Sequence, residues 1–250
     1  MRQHYNLGFI SDEDIYNHVR ATVSTYRRSI NLEEFNKNII DPIKLTFDAK
    51  IYDKSFREMI ESECIRQIDK TNSNSIGYFH QNIFKYAEDR GWNVPENGET
   101  GFDVENVKAH IFCEVKNKHN TMNSASAQST YIKMQNKILF DDKATCYLVE
   151  IISKRSQDRA WQISLSGKSF SHDHIRRISV DKFYDLVFGY PNAFFKLCKA
   201  LPTILTDVLA EESDLKIQNS VFSELSRTSK DLYKSLYLLA FKTYEGFDSF

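Results

Sequence analysis

The segment Thr145-Cys146-Tyr147-Leu148-Val149-Glu150-Ile151-Ile152 constrains this chain most. It is a nearly continuous apolar run, a pattern that fits a strand covered on both faces. A helix-like stretch, Ser124 to Phe140, comes before it, with Ala127, Tyr131, Met134 and Ile138 as one stripe. Before that stretch lies a short β-prone run, Ile111 to Val115. Strand, helix, buried strand is a βαβ crossover, so the sheet should be mixed and contain a parallel pair. Gly101 to Val104, Ala160 to Leu165 and Ile175 to Val180 are further strand candidates.

Helical signals surround this centre. Ser11 followed by Asp14 resembles a capping box with Asp in place of the usual Glu or Gln. Ile15, Val19, Val23, Tyr26 and Ile30 then recur at helical spacing. Ile43, Phe47 and Ile51 form a second stripe after Asp41-Pro42, and Phe56, Ile60, Cys64 and Ile68 a third. Asn72-Ser73-Asn74-Ser75 reads as a polar break, followed by a helix from Gly77 to Arg90 that Gly91 stops. Asp181 to Phe188, Asn192 to Leu209 and Leu232 to Phe241 also read helical. The expectation is one α/β domain over 1–250, with a helical part at 1–70, a core at 75–180 and a helical part at 181–250.

Composition sets outer limits. With 41% hydrophobic and 27% charged residues in 250, and only 12 Gly and Pro together, the chain is neither disordered nor fibrous. No run approaches the roughly 18 apolar residues of a membrane helix, and the first residues lack the apolar core of a signal peptide. The four cysteines, at 64, 113, 146 and 198, form no CxxC, which fits a reduced, cytoplasmic setting. Net charge is −1, but it is unevenly spread. Residues 1–114 hold 14 Lys/Arg against 19 Asp/Glu, residues 115–180 hold 11 against 5, and residues 181–250 hold 8 against 10. The stretch 115–140 carries Lys116, Lys118, Lys133 and Lys137 and no acid. Such a segment makes a local electropositive face on a nearly neutral protein.

That basic stretch begins beside two acids. Glu114 and Lys116 are two apart on a predicted strand and share a face. Asp103 lies opposite Glu114 if a hairpin turns near Lys108-Ala109, which puts their Cβ atoms about 4.5–5.5 Å apart. A tight turn at Glu105-Asn106 slides the acids apart, so a longer loop over roughly 106–110 is required. Two carboxylates at that separation can share Mg²⁺, a hard ion that keeps several waters, and the carbonyl of Val115 offers a third oxygen. Such an ion lowers the pKa of a bound water and acts as a Lewis acid on a phosphate. Lys116 would orient or deprotonate the attacking water, or stabilise the transition state. These residue types fit metal-assisted phosphodiester hydrolysis, although the spacing D-x₁₀-E-x-K by itself is weak.

Asp103 with Glu114-Val115-Lys116 resembles the PD-(D/E)xK nuclease signature. Glu114-Val115-Lys116-Asn117-Lys118-His119-Asn120-Thr121-Met122-Asn123-Ser124, with Tyr131-x-x-Met134-Gln135 downstream, resembles the type II restriction endonucleases that cut GGNCC-type sites. Gly91-Trp92-x-Val94-Pro95 and Gly101-Phe102-Asp103 fit the same family. The likeness covers about 77–152, with Phe102 where the nominal motif has proline. It implies a restriction-endonuclease-like fold, a central mixed β-sheet flanked by helices with helical additions at both ends. It also implies Mg²⁺-dependent cleavage of a short palindrome in double-stranded DNA by a homodimer, with a DNA methyltransferase protecting the host. The catalytic set is then Asp103, Glu114 and Lys116. A PD-(D/E)xK nuclease of DNA repair or resolution, or a non-catalytic DNA-binding module, is the alternative.

The polar string after Lys116 offers donors and acceptors to phosphates and base edges. Asn117, Lys118, His119, Asn120, Thr121 and Asn123 are the candidates for DNA contact, and Lys133 is a weaker one. A plainer reading makes the string a loop capping the next helix, with Asn123 or Ser124 as N-cap. Other signals are set aside. Ser166-Gly167-Lys168-Ser169 ends like a P-loop, but Gln162 stands where that motif needs glycine. His172-x-His174 reads as surface loop rather than a metal pair. Cys113 and Cys146 read as buried hydrophobes. Glu58, Glu61 and Glu63 offer a further acid to the site, and Gln81 on the next helix a side chain that faces it.

Overall fold

The computed structural model describes residues 4–38, 40–96, 101–118, 122–165, 167–211, 218–243 and 247. Its elements are α1 Asp12–Thr25, β1 Ser29–Ile30, α2 Leu32–Lys37, α3 Pro42–Ile51 and α4 Phe56–Asn82, then a 3₁₀ segment Ile83–Arg90. There follow β2 Val104–Asn106, β3 Ile111–Lys118, α5 Ser124–Phe140, β4 Thr145–Ile152, β5 Asp158–Ala160, β6 Ile163–Leu165, β7 Lys168–Phe170 and β8 Ile175–Ser179. The chain closes with α6 Val180–Phe188, α7 Ala193–Ala210, β9 Gln218–Asn219, α8 Val221–Thr228 and α9 Leu232–Phe241. It divides into two compact units, 1–24 with 76–211 and 25–75 with 212–250. Among the described residues no helix is long and apolar enough to cross a membrane.

The first unit is built on a five-stranded mixed sheet in the order β2-β3-β4-β8-β5. β3, β4 and β8 run parallel, while β2 and β5 pair antiparallel at the edges. The crossover read from the sequence is present: β3 and β4 pair in parallel and α5 connects them. β4 is covered on both sides, as its apolar run demands. Val149 and Ile151 face one core with Cys113, Ile178 and residues of α1, α6 and α7. Cys146 and Leu148 face another with Phe112, Tyr131, Met134 and Trp161. Tyr131 and Met134 of α5 are fully buried there, with Ala127 and Ile138 packed beside them. Ser11 caps α1 through its hydroxyl, which accepts from the Asp14 amide at 3.0 Å and donates to the Asp14 carboxylate at 2.6 Å. Gly91 ends the 3₁₀ segment at φ 85°, a left-handed conformation that favours glycine.

The second unit holds a separate core of Ile30, Phe35, Leu45, Ile60, Cys64, Ile68, Val221, Leu225 and Leu236. The stripe Ile60, Cys64, Ile68 behaves as expected. The stripe Ile43, Phe47, Ile51 does not: these are 50%, 63% and 69% exposed, and α3 buries Leu45 and Ala49 instead. Both faces of α3 carry apolar residues at helical spacing, and the smaller set turns inward. Helix α1 stops at Thr25, so Tyr26 and Ile30 leave its stripe, and Ile30 pairs in β1 with Asn219 of β9. No break occurs at 72–75, because α4 runs through it. Asn72 accepts from the Arg27 amide at 2.8 Å, and the Ser75 hydroxyl donates to the Thr25 carbonyl. These polar side chains serve the chain leaving α1 rather than ending a helix. The expected strand at 160–165 is two strands, β5 and β6, and β6 forms a hairpin with β7.

Candidate active site

Asp103 immediately precedes β2. The β2–β3 register pairs Val104 with Cys113, Glu105 with Phe112 and Asn106 with Ile111, and its continuation sets Asp103 across from Glu114. The Asp103 amide donates to the Cys113 carbonyl at 2.9 Å. The connection spans four residues, 107–110, rather than the tight alternative at 105–106. Asn106 organises it by accepting from the Ala109 amide at 3.1 Å, and His110 closes it at φ 55°. This is the longer loop that the acidic pair requires.

One strand edge and one sheet face then converge. The Asp103 carboxylate accepts from the Val115 amide at 2.7 Å. A strand residue presents its N–H and C=O to the same edge, so the Val115 carbonyl also points to the side of Asp103. Glu114 and Lys116 lie on the face that carries α5, since Phe112 two residues earlier packs against Tyr131 and Met134. The Lys116 ammonium donates to Glu114 Oε1 at 2.6 Å. Lys133, from α5, donates to Glu114 Oε2 and to the Gly101 carbonyl, and its ammonium sits 4.7 Å from the centre of the Phe102 ring. The Gln81 side chain donates to the Asp103 carbonyl at 3.3 Å.

The electrostatics are those of an acidic pair short of water. Burial, then the neighbouring charge of Glu114, pushes the Asp103 carboxyl above the usual range, against the Val115 amide and the two lysines. Burial also raises Glu114, but the hydrogen bonds from Lys116 and Lys133 outweigh it and hold this carboxyl low. Both lysines act on both acids, so four charged groups occupy one volume. Among the described residues no three His, Cys, Asp or Glu side chains are grouped to hold a metal. The oxygen set on offer is two carboxylates and one backbone carbonyl. That suits a hard divalent ion that retains several waters.

The structure places the other candidates as follows. Asn117 and Lys118 end β3, where Lys118 pairs in register with Ile152 of β4. His119, Asn120 and Thr121 lie outside the described residues. Asn123 is the N-cap of α5, its side chain accepting from the Ser126 amide at 2.8 Å. Lys133, read as a weaker DNA contact, reaches Glu114; its distance from 114 in sequence hid this. Gln81 does face the site. Glu58, Glu61 and Glu63 are engaged within their own unit by Ser55, Arg57 and Arg66. His172 and His174 line a surface cavity of about 630 Å³ with Asp142 and Asp173, and the His174 amide donates to His172. Burial pushes the Cys113 thiol well up and Cys146 to about 12, which keeps both protonated and inert.

A mixed α/β sheet places Asp103 before one edge strand and Glu114-Val115-Lys116 on the next, an arrangement that resembles the PD-(D/E)xK nuclease signature. Comparison with known proteins narrows this. The family model for the Eco47II restriction endonuclease matches residues 7–210. The chain is 31% identical over 239 residues to the type II restriction enzyme Sau96I of Staphylococcus aureus, covering 90% of this chain and 89% of that one. It is 32% identical over 218 residues to the type II restriction enzyme Eco47II of Escherichia coli, covering 82% and 89%. No solved structure matches it. The chain belongs to the Eco47II restriction endonuclease family, and it is a restriction endonuclease acting on DNA.

Proposed function

We propose that this endonuclease is Mg²⁺-dependent and hydrolyses both strands of duplex DNA at a GGNCC-type palindrome, with Asp103, Glu114 and Lys116 as its catalytic set. The observation that carries the reading is the convergence of Asp103, the Val115 edge and Glu114 under two lysines. Enzymes of this class use a divalent ion. Asp103, Glu114 and the Val115 carbonyl would hold it. When bound, the ion supplies Lewis-acid polarisation of the phosphate and a lowered pKa for a water.

The chain's own groups do the rest. Lys116, anchored on Glu114, presents an ammonium beside the acids, where it orients the attacking water and offsets charge on the phosphate oxygens. Attack in line by water leaves no covalent intermediate on the protein. The Val115 amide fixes the Asp103 carboxylate, and Gln81 fixes the backbone beneath it. Asn117, Lys118, His119, Asn120, Thr121 and Asn123 follow Lys116 in the sequence; they are the proposed contacts to phosphates and base edges.

The same reading takes the enzyme to be a homodimer, since two sites are needed to cut both strands of a palindrome. It is paired functionally with a DNA methyltransferase and works in the cytoplasm, consistent with four free cysteines. The nuclease core is assigned to 75–180 within a single functional domain. Plasmid digestion with Mg²⁺, with EDTA, and with Asp103→Ala tests it. Discrete fragments lost under both treatments are expected. Smearing indicates a structure-guided nuclease instead, and binding without cutting a DNA-binding module.

A further inference from the structure

We infer that Lys133 is the resident counter-ion of Glu114: its ammonium holds the carboxylate that a divalent ion takes over, so metal entry displaces it. The inference rests on the reading of Asp103 and Glu114 as metal ligands. Each oxygen of Glu114 is engaged by a different ammonium, Oε1 by Lys116 and Oε2 by Lys133. A divalent ion arriving at Glu114 meets like charge at hydrogen-bond range, and one ammonium must give way.

Lys133 is the one built to move. Lys116 is two residues from Glu114 on the same strand, and its role beside the attacking water keeps it there. Lys133 comes from α5, whose Tyr131 and Met134 anchor the helix in the core while the lysine side chain stays 34% exposed. Lysine carries a compact charge on a flexible stem, so its ammonium can swing without moving the helix. Its present seat also has partners other than Glu114, which a small swing off the carboxylate retains. The Gly101 carbonyl accepts from the same ammonium, and the Phe102 ring lies 4.7 Å from it. A carbonyl together with an aromatic face is a favourable seat for a displaced cation. Lys133 therefore holds Glu114 in its ligand position in the metal-free enzyme, sharing the carboxylate with Lys116.

The test is calorimetric titration of DNA-free, full-length enzyme with Mn²⁺. Wild type is compared with Lys133→Met, Lys133→Gln and the control Lys137→Met. Lys137 lies one turn further along α5, with its ammonium 3.8 Å from the Phe112 ring rather than on Glu114. Removing a competitor coupled by about 1 kcal/mol strengthens metal binding roughly 5-fold. Both Lys133 variants are expected to bind Mn²⁺ at least that much more tightly, with Lys137→Met within about 2-fold of wild type by the same reckoning. A merely structural lysine gives the opposite sign, since losing it loosens Glu114. Unchanged or weaker Mn²⁺ affinity in folded Lys133→Met and Lys133→Gln overturns the inference, as does equal tightening in Lys137→Met. Absence of Mn²⁺ binding in wild type overturns the metal-site reading itself, and the inference with it.

Discussion

Glu114 on β3 and Glu150 on β4 stand on the same face of the same sheet, one residue row apart, and meet opposite fates. Glu150 is 1% exposed. Its Oε1 accepts from Arg177 on β8, and its Oε2 accepts from Ser153 at 3.2 Å and Gln157 at 3.3 Å. Glu114 accepts from two lysines and opens towards Asp103. A guanidinium offers several fixed donors and stays, whereas an ammonium on a long stem can leave. The first arrangement is a buried carboxylate paired across to the neighbouring strand. The second is an acid held ready for exchange. Lys116 lies beside Glu150 in the β3–β4 register, yet its ammonium turns back along its own strand to Glu114. With Glu150 already engaged by Arg177, Ser153 and Gln157, Lys116 is left for the site.

Substitutions separate the two carboxylates. Glu114→Ala should reduce the rate of DNA cleavage by at least about 10³-fold, roughly 4 kcal/mol in the barrier, while the urea midpoint stays near wild type. Arg177→Ala should do the reverse. Stranding a buried carboxylate costs about 3–5 kcal/mol of stability, readable by urea denaturation, and specific activity falls only as far as folding does. If Arg177→Ala were as stable as wild type, Glu150 would not be paired as described.

Acid sensitivity arises in a third place, the core on the other side of the sheet. His18 is buried, its ring bonded to the Phe79 carbonyl at 2.9 Å, and burial lowers its pKa to about 4. The neutral form is favoured in the fold, so His18 costs nothing above its unfolded pKa near 6.5, and stability is lost as pH falls from there towards 4. From pH 7 to pH 5 the loss is about 2 kcal/mol. Stability from urea denaturation at the two pH values should fall by at least that amount in wild type, since burial also lowers His80 to about 4, and by clearly less in His18→Gln. The smallest effect is expected at Lys118→Ala. DNA binding should weaken a few-fold, with the slope of log affinity against log salt reduced by about 1. An unchanged slope removes Lys118 from the phosphate contacts.

What was legible in the sequence was local or adjacent. The limits of α5 and β4 follow from one helical stripe and one apolar run, and the register of Asp103 against Glu114 follows from a single loop length. What was not legible depended on distant partners. Ile30 has helical spacing from Val23 and Tyr26, but β9 near residue 219 draws it into a strand. Asn72 and Ser75 look like a break until the chain end of α1 is there to receive them. α3 has two apolar faces, and only the rest of its core decides which is buried. Lys133 looked like any exposed helix lysine, since nothing in its own neighbourhood names Glu114 as its partner.

The most direct test of the central claim is the anomalous difference map of a crystal soaked in Mn²⁺. One peak within about 2 Å of carboxylate oxygens of both Asp103 and Glu114 is the predicted result. A peak that avoids either residue, for example one seated between His172 and His174, would contradict it.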